Sequence, residues 1–284
     1  MRIPFRLVDV FTERPLAGNQ LCVVSDGGEV DPETMQALAQ EIGFSETTFV
    51  LESGGDRYRM RIFTPGSELP FAGHPTLGTA YTLVSENRVS SPVTQSVPAG
   101  EIEVDVDLVR GFARMRQLPP TFGKEVTDRE LLAAANGLSP DRLHPDHPAQ
   151  VVSTGLAHLI VPARDADAVA AAEREPRALQ TLLEAAGTDA IYLFAIDGDG
   201  KAKARMFDTT RGIGEDPATG SAAGPLGAYL AERGAGGMPG TVAIRQGEEL
   251  GRPSVLHVEV EPDGDSWKVF VGGGVQIVGK GAFE

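Results

Sequence analysis

Cysteine is almost missing from this 284-residue chain, in which Cys22 stands alone. One thiol excludes an intramolecular disulfide, a cysteine-built zinc site and any mechanism that needs two thiols. Positive charge is scarce as well. The chain has 25 Lys and Arg against 40 Asp and Glu, a formal net charge of -15. That balance argues against a nucleic-acid partner, because duplex binding needs a positive stripe. A small local basic pocket stays open. Long apolar runs are absent: Leu21–Val24 and Ile191–Ile196 fall far short of the ~20 residues a bilayer span requires. Arg6 and Asp9 interrupt the apolar core a signal peptide would need. The expectation is a cytoplasmic protein with no membrane partner, and the single thiol agrees with it. No Gly-x-Gly-x-x-Gly follows a strand, and no phosphate-loop Gly-Lys-Ser/Thr occurs.

Hydrophobic residues make up 41% of the chain, ample for a core, and 34 Gly with 20 Pro promise many turns. Apolar alternation bounded by turn residues predicts strands near Arg2–Phe11, Gln20–Ser25, Thr47–Glu52, Arg57–Thr64, Thr94–Val97, Glu101–Val106 and Ala113–Gln117. Helices are predicted at Pro32–Ile42, with Asp31 as N-cap, and near Pro75–Asn87. The second half repeats this order. Its strands fall near Gln150–Ser153, His158–Val161, Ile191–Ile196, Lys203–Phe207, Thr241–Arg245, Ser254–Val260, Lys268–Val271 and Val275–Val278. Its helices fall near Ala166–Glu173, Arg177–Ala186 and Ser221–Arg233. An extra helix near Asp128–Asn136 lies at the joint, with Thr127 and Glu130 as a capping box, and Ser139–Pro148 reads as the linker. The halves are placed at residues 1–125 and 126–284, with the chain end free to return to the first half.

Residues repeat along with the elements. Arg61-Ile62-Phe63 precedes Glu68-Leu69-Pro70-Phe71-Ala72-Gly73-His74, and Arg205-Met206-Phe207 precedes Glu215-Asp216-Pro217-Ala218-Thr219-Gly220-Ser221. Both fit Arg-x-Phe, then Glu-x-Pro-x-x-Gly-polar, and Gly73 and Gly220 lie about half the chain apart. Each copy ends with a glycine and a polar residue opening a helix. The first N–H groups of a helix lack intrahelical partners, and they and the helix dipole favour an anion. Two such helix ends aimed at one cleft would hold a small carboxylate without Lys or Arg. Both helices carry small residues and almost no charge until Glu86 and Glu232, which predicts burial inside a curled sheet.

Several side chains have chemical and plain readings side by side. No Lys or Arg lies within ten residues of Glu46, which suits a general acid/base with a raised pKa; a solvated glutamate at a strand start fits as well. His74 suits a neutral imidazole at a helix end. Ser221 fits a site residue or a simple N-cap, and Asp216 a site residue or a turn former before Pro217. Asn19 fits a turn residue or a substrate ligand. His144-Pro145-Asp146-His147-Pro148 reads as a rigid turn, so no metal site is expected. Asp197-Gly198-Asp199-Gly200 reads as a hairpin turn, and Gly272-Gly273-Gly274 as a kink between strands.

Taken together the motifs resemble the phenazine-biosynthesis isomerase family (PhzF-like), of the diaminopimelate-epimerase-like fold. The resemblance rests on Asp9-Val10-Phe11 with Pro15 and Gly18-Asn19, on Phe44 through Val50, on Ile62 through Pro75, on Glu215 through Pro225 and on Gln246 through Ser254. It implies an α+β fold of two pseudo-symmetric halves, each a curled, mostly antiparallel sheet wrapped around a central helix. It implies a cofactor-independent isomerase, commonly a homodimer, that moves a proton on a small cyclic carboxylate. The founding activity converts trans-2,3-dihydro-3-hydroxyanthranilate toward a ketone. Carried over, Glu46 is the general acid/base, with His74, Asp216 and Ser221 beside it. Backbone groups at Gly73 and Gly220 hold the substrate. In thiol-using epimerases of this fold a cysteine opens each central helix, and here His74 and Ser221 stand there. A related isomerase or carbon–carbon hydrolase, or a non-catalytic carboxylate binder, would use the same residues.

Overall fold

A computed structural model describes residues 2–97, 100–198, 200–209 and 214–284. In the first half the strands are β1 (Ile3–Val10), β2 (Asn19–Val24), β3 (Glu46–Gly54), β4 (Arg57–Phe63), β5 (Glu68–Leu69), β6 (Val93–Val97), β7 (Gly100–Asp107), β8 (Phe112–Arg116) and β9 (Thr121–Val126). Helices α1 (Pro32–Ile42) and α2 (Gly73–Ser85) lie among them, and α3 (Arg129–Ala135) follows. The second half holds β10 (Ala149–Ser153), β11 (Ala157–Pro162), α4 (Ala166–Ala171), α5 (Pro176–Ala186), β12 (Ala190–Ile196), β13 (Lys201–Asp208) and β14 (Glu215–Asp216). It closes with α6 (Gly220–Glu232), β15 (Gly240–Gln246), β16 (Ser254–Asp263) and β17 (Ser266–Phe283).

The first half forms a closed ring in the order β1, β2, β3, β4, β6, β7, β8, β17 and back to β1. The second runs β9, β10, β11, β12, β13, β15, β16, β17. Most neighbours are antiparallel. The parallel pairs fall in matching places, β2 with β3 and β11 with β12, β4 with β6 and β13 with β15. Parallel neighbours need crossover connections, and helices supply them. Each half lends its trailing strand to the other: β9 pairs with β10, while the end of β17 pairs with β1. The fold class is therefore α+β, two pseudo-symmetric halves each curled around a helix.

The small-residue helices fill these rings. α2 packs on β1, β2, β7 and β8, and α6 on β10, β11, β16 and β17. Gly220 through Leu230 of α6 are all buried. Glycine lets strands approach the helix axis: a Cβ on Gly227 would stand 2.5 Å from Val258. No helix among the described residues is long and apolar enough to cross a membrane.

The local signals hold for α1, where Asp31 accepts from the Thr34 amide at 2.9 Å and Gly43 ends the helix at φ 67°. Three expectations change. At α3 the cap is Asp128, accepting from the Leu131 amide at 3.0 Å, instead of Thr127. A carboxylate is the better partner for the helix dipole, and the helix starts a residue later. Residues 272–274 are no kink. They lie inside the single strand β17, where glycine is needed because a Cβ on Gly273 would meet the Phe11 ring at 2.5 Å. The segment read as a linker folds onto the second half, with His144 Nδ1 accepting the amides of Asp146 and His147 at 3.2 and 3.1 Å. The chain crosses between rings at residues 117–120 instead, since β8 belongs to one ring and β9 to the other. Of the expected turn at 197–200, Asp199 lies outside the described residues.

Candidate active site

The repeated motif has a mechanical meaning that its letters do not show. Arg61 donates to both oxygens of Glu68, at 2.7 and 2.6 Å, with its guanidinium 5.0 Å over the Phe63 ring. Arg205 does the same to Glu215, at 2.7 and 2.8 Å, and lies 4.9 Å over Phe207. In each half this fork holds a two-residue strand beside its long neighbour, β5 on β4 and β14 on β13. The fork fixes the loop that enters the central helix. Bidentate arginine pairs suit such positioning because they constrain angle as well as distance.

The two helix starts meet. A Cβ on Gly73 would lie 2.7 Å from the Ser221 amide nitrogen and 2.8 Å from Gly220 Cα. Two positive dipole ends thus face one small space, and an anion between them relieves their mutual repulsion. That space is lined by Glu46, His74, Asp216, Thr219 and Ser221 together with Phe71 and Met206. Its free volume is about 20 Å³, far below the roughly 300 Å³ at which small-molecule pockets begin.

Asn19 knits the site. Its amide donates to Asp216 Oδ1 at 2.8 Å and to the Ala218 carbonyl at 2.8 Å, and lies 3.1 Å from His74 Nδ1. Its carbonyl accepts from Ser45 at 3.0 Å. Asp216 Oδ2 accepts from Thr219 at 2.6 Å. Glu46 Oε2 stands 3.4 Å from His74 Nε2. All of these side chains except Ser45 are buried. The structure therefore brings Asn19, Glu46, Gly73, His74, Asp216, Gly220 and Ser221 into one place, although they come from both halves.

The plain readings can now be tested. Glu46 is only 7% exposed, so it is no solvated glutamate. Thr219 takes the cap position of α6, which leaves Ser221 inside the first turn with its hydroxyl 3.2 Å from His158 Nε2. Asp216 points its carboxylate at Asn19 and Thr219 while its backbone forms β14.

Sequence reasoning missed the supporting groups. Gln246 donates to the Asp216 carbonyl at 2.8 Å and to Thr219 Oγ1 at 3.0 Å, and accepts from Tyr192 at 2.8 Å. Gln117 donates to the Gly220 carbonyl at 2.9 Å and accepts from Thr154 at 2.5 Å. Arg252 pairs with buried Asp9 at 2.6 Å and binds the Gly18 carbonyl at 2.8 Å, steadying the turn before Asn19. Gln246 and Arg252 do fall in a segment that carries the family resemblance. His158 and Gln117 carry no local signal, since each is a lone polar residue at one end of a predicted strand.

Burial pushes the His74 imidazole down to about 3, against a smaller upward pull from the Gln20 backbone. His74 is thus neutral at pH 7. Its folded pKa lies below its unfolded value of about 6.5, so the unfolded chain takes the proton first as pH falls. This contribution to stability is full above about pH 6.5 and is lost toward pH 3, by up to about 1.4 kcal/mol per pH unit. Between pH 7 and pH 5 the urea midpoint of the wild type should fall further than that of His74→Asn. Equal falls would place the acid sensitivity elsewhere.

Relatives and fold define the class: this is an isomerase built on the epimerase-like scaffold. The chain belongs to the family of phenazine biosynthesis-like proteins, PhzC-PhzF, which matches residues 8–281. It is 39% identical over 261 residues to the trans-2,3-dihydro-3-hydroxyanthranilate isomerase of Pseudomonas fluorescens, covering 90% of this chain and 89% of that one. It superposes on the crystal structure of a Bacillus anthracis phenazine biosynthesis protein of the PhzF family with a TM-score of 0.89. That match has 29% identity and covers 100% and 99% of the two chains. A probable proline racemase from Agrobacterium radiobacter, 14% identical, shares the fold with a TM-score of 0.68 over 99% of this chain and 93% of the racemase.

Proposed function

We propose that this protein is a cofactor-independent isomerase that moves a proton on a small cyclic carboxylate, with trans-2,3-dihydro-3-hydroxyanthranilate as its substrate. One observation carries the reading: a buried carboxylate, Glu46, stands beside two helix ends that converge on one space. The helix ends take the substrate carboxylate. Glu46 removes a proton from the activated ring carbon and returns it to another carbon on the same face. Charge that develops on the ring in between is stabilised by dipoles already in place, the kind of preorganised field that accounts for much of such rates. Neutral His74 and the Asn19–Asp216 pair hold that geometry. The proton chemistry is complete in these side chains, which supports action without a cofactor.

The free space is too small for a six-membered ring. In this reading the two halves, β1 to β8 with the end of β17 and β9 to β16 with the start of β17, therefore act as units that part to admit the substrate and close over it. The net charge of -15 supports an enzyme without a nucleic-acid partner, and the reading places it in the cytoplasm, away from membranes. Family likeness supports a homodimer.

The test is incubation of the purified protein with this substrate in deuterated water. Conversion of the substrate to its isomer is expected, with deuterium at the carbon that gains a proton to the extent that Glu46 exchanges with solvent between the two transfers. Unchanged, unlabelled substrate would leave a carboxylate-binding protein instead.

A further inference from the structure

The two central helices open on different polar residues, and those residues have different anchors. His74 in α2 is met by Asn19 and Glu46. Ser221 in α6 is met by His158, whose Nε2 lies 3.2 Å from Oγ. His158 comes from β11, opposite Val152 of β10, and is fully buried. Nothing in the proton transfer proposed above uses it. Ser221 is 7% exposed, sits past the cap of its helix and lines the closed space.

A serine hydroxyl has one hydrogen and two lone pairs. Its contact with an imidazole therefore has two forms. In one, Oγ donates to a bare Nε2, and only lone pairs remain for the cleft; these repel an anion. In the other, Nε2 carries a hydrogen and donates to Oγ, and the hydroxyl hydrogen turns toward the cleft. The contact distance is the same in both forms, and the chemistry offered to the ligand is opposite.

We propose that His158 is a positioning residue that holds Ser221 as a hydrogen-bond donor to the ligand's carboxylate. The inference rests on the reading that a carboxylate sits between the two helix ends. A donor aimed at a charged oxygen forms roughly twice as strong a bond as one aimed at a neutral oxygen. His158 therefore favours the acid over its amide, and it acts only through Ser221.

Calorimetry with anthranilate and anthranilamide tests this on the full chain. His158→Leu should weaken anthranilate roughly tenfold and anthranilamide about twofold or less, in line with loss of a charge-assisted bond. His158→Gln, whose amide nitrogen can stand in for Nε2, should retain most of the affinity. In a Ser221→Ala background the leucine change should add no further loss. Equal losses for the two ligands, or an undiminished loss without Ser221, would show that the imidazole only fills space and would overturn the inference.

A second readout needs no variant. In wild-type protein with labelled histidine, Nε2 of His158 should carry a proton when anthranilate is bound; a bare Nε2 there overturns the inference as well. Wild-type protein that binds anthranilate no better than anthranilamide would instead overturn the carboxylate reading beneath it.

Discussion

Glu46→Gln is expected to fold normally, bind the substrate or an anthranilate analogue, and turn over at least about a thousandfold more slowly than wild type. General acid/base groups contribute roughly 10² to 10⁴ in rate, and this site offers Glu46 as its transferring carboxylate. A thousandfold loss corresponds to about 4 kcal/mol of barrier. Glutamine keeps the shape and one acceptor oxygen, so the hole in the packing is small. The loss should therefore appear in kcat with little change in the affinity of the analogue. Steady-state kinetics with parallel calorimetry separate these quantities. A variant within about tenfold of wild-type kcat would remove Glu46 from the proton path, since a general acid/base cannot be that dispensable.

Gly73→Ala is the second large effect, and it reports on the meeting of the helices. The added Cβ would stand 2.7 Å from the Ser221 nitrogen and 2.8 Å from Gly220 Cα. Both contacts are backbone at the start of a buried helix, so no side chain can swing aside. The helices must part, and overpacking of this kind costs about 1–3 kcal/mol. The parted ends also misplace the anion site. A shift near 1 Å can cost about a hundredfold in rate, and kcat/KM should fall by that order. Gly54→Ala is the matched control, since nothing lies within 4 Å of its added carbon. Urea unfolding and steady-state rates check both variants. A wild-type midpoint and wild-type rates for Gly73→Ala would mean that the helix ends have room to spare.

Much of the site was legible because its signals are local or repeated. The Glu-x-Pro-x-x-Gly-polar segment names both helix starts wherever the chain folds. The charge-poor helices announce burial through composition alone. The choice between plain and chemical readings was not local. Glu46 and Ser221 each fit two readings until burial of the one and the His158 contact of the other were in view. The glycines at 272–274 show the same limit. Three glycines in a row look like a kink, and only the close approach of Ala113, Phe11 and Thr12 shows why a continuous strand needs them.

The sequence by itself determined the duplicated element order, the two helix ends, the exclusion of a two-thiol mechanism and the family. These depend on spacing and residue type, which the chain carries in one dimension. Tertiary structure alone decided that Asn19 reaches Asp216, that the Arg–Glu forks brace both loops, and that each half borrows the other's trailing strand. The forks span seven and ten residues and need the paired short strands to form, while the Asn19 contact and the exchanged strands join residues far apart in the chain. Their geometry follows from how the two sheets curl, so a hydrogen bond between distant side chains has no signature until the sheets bring its ends together.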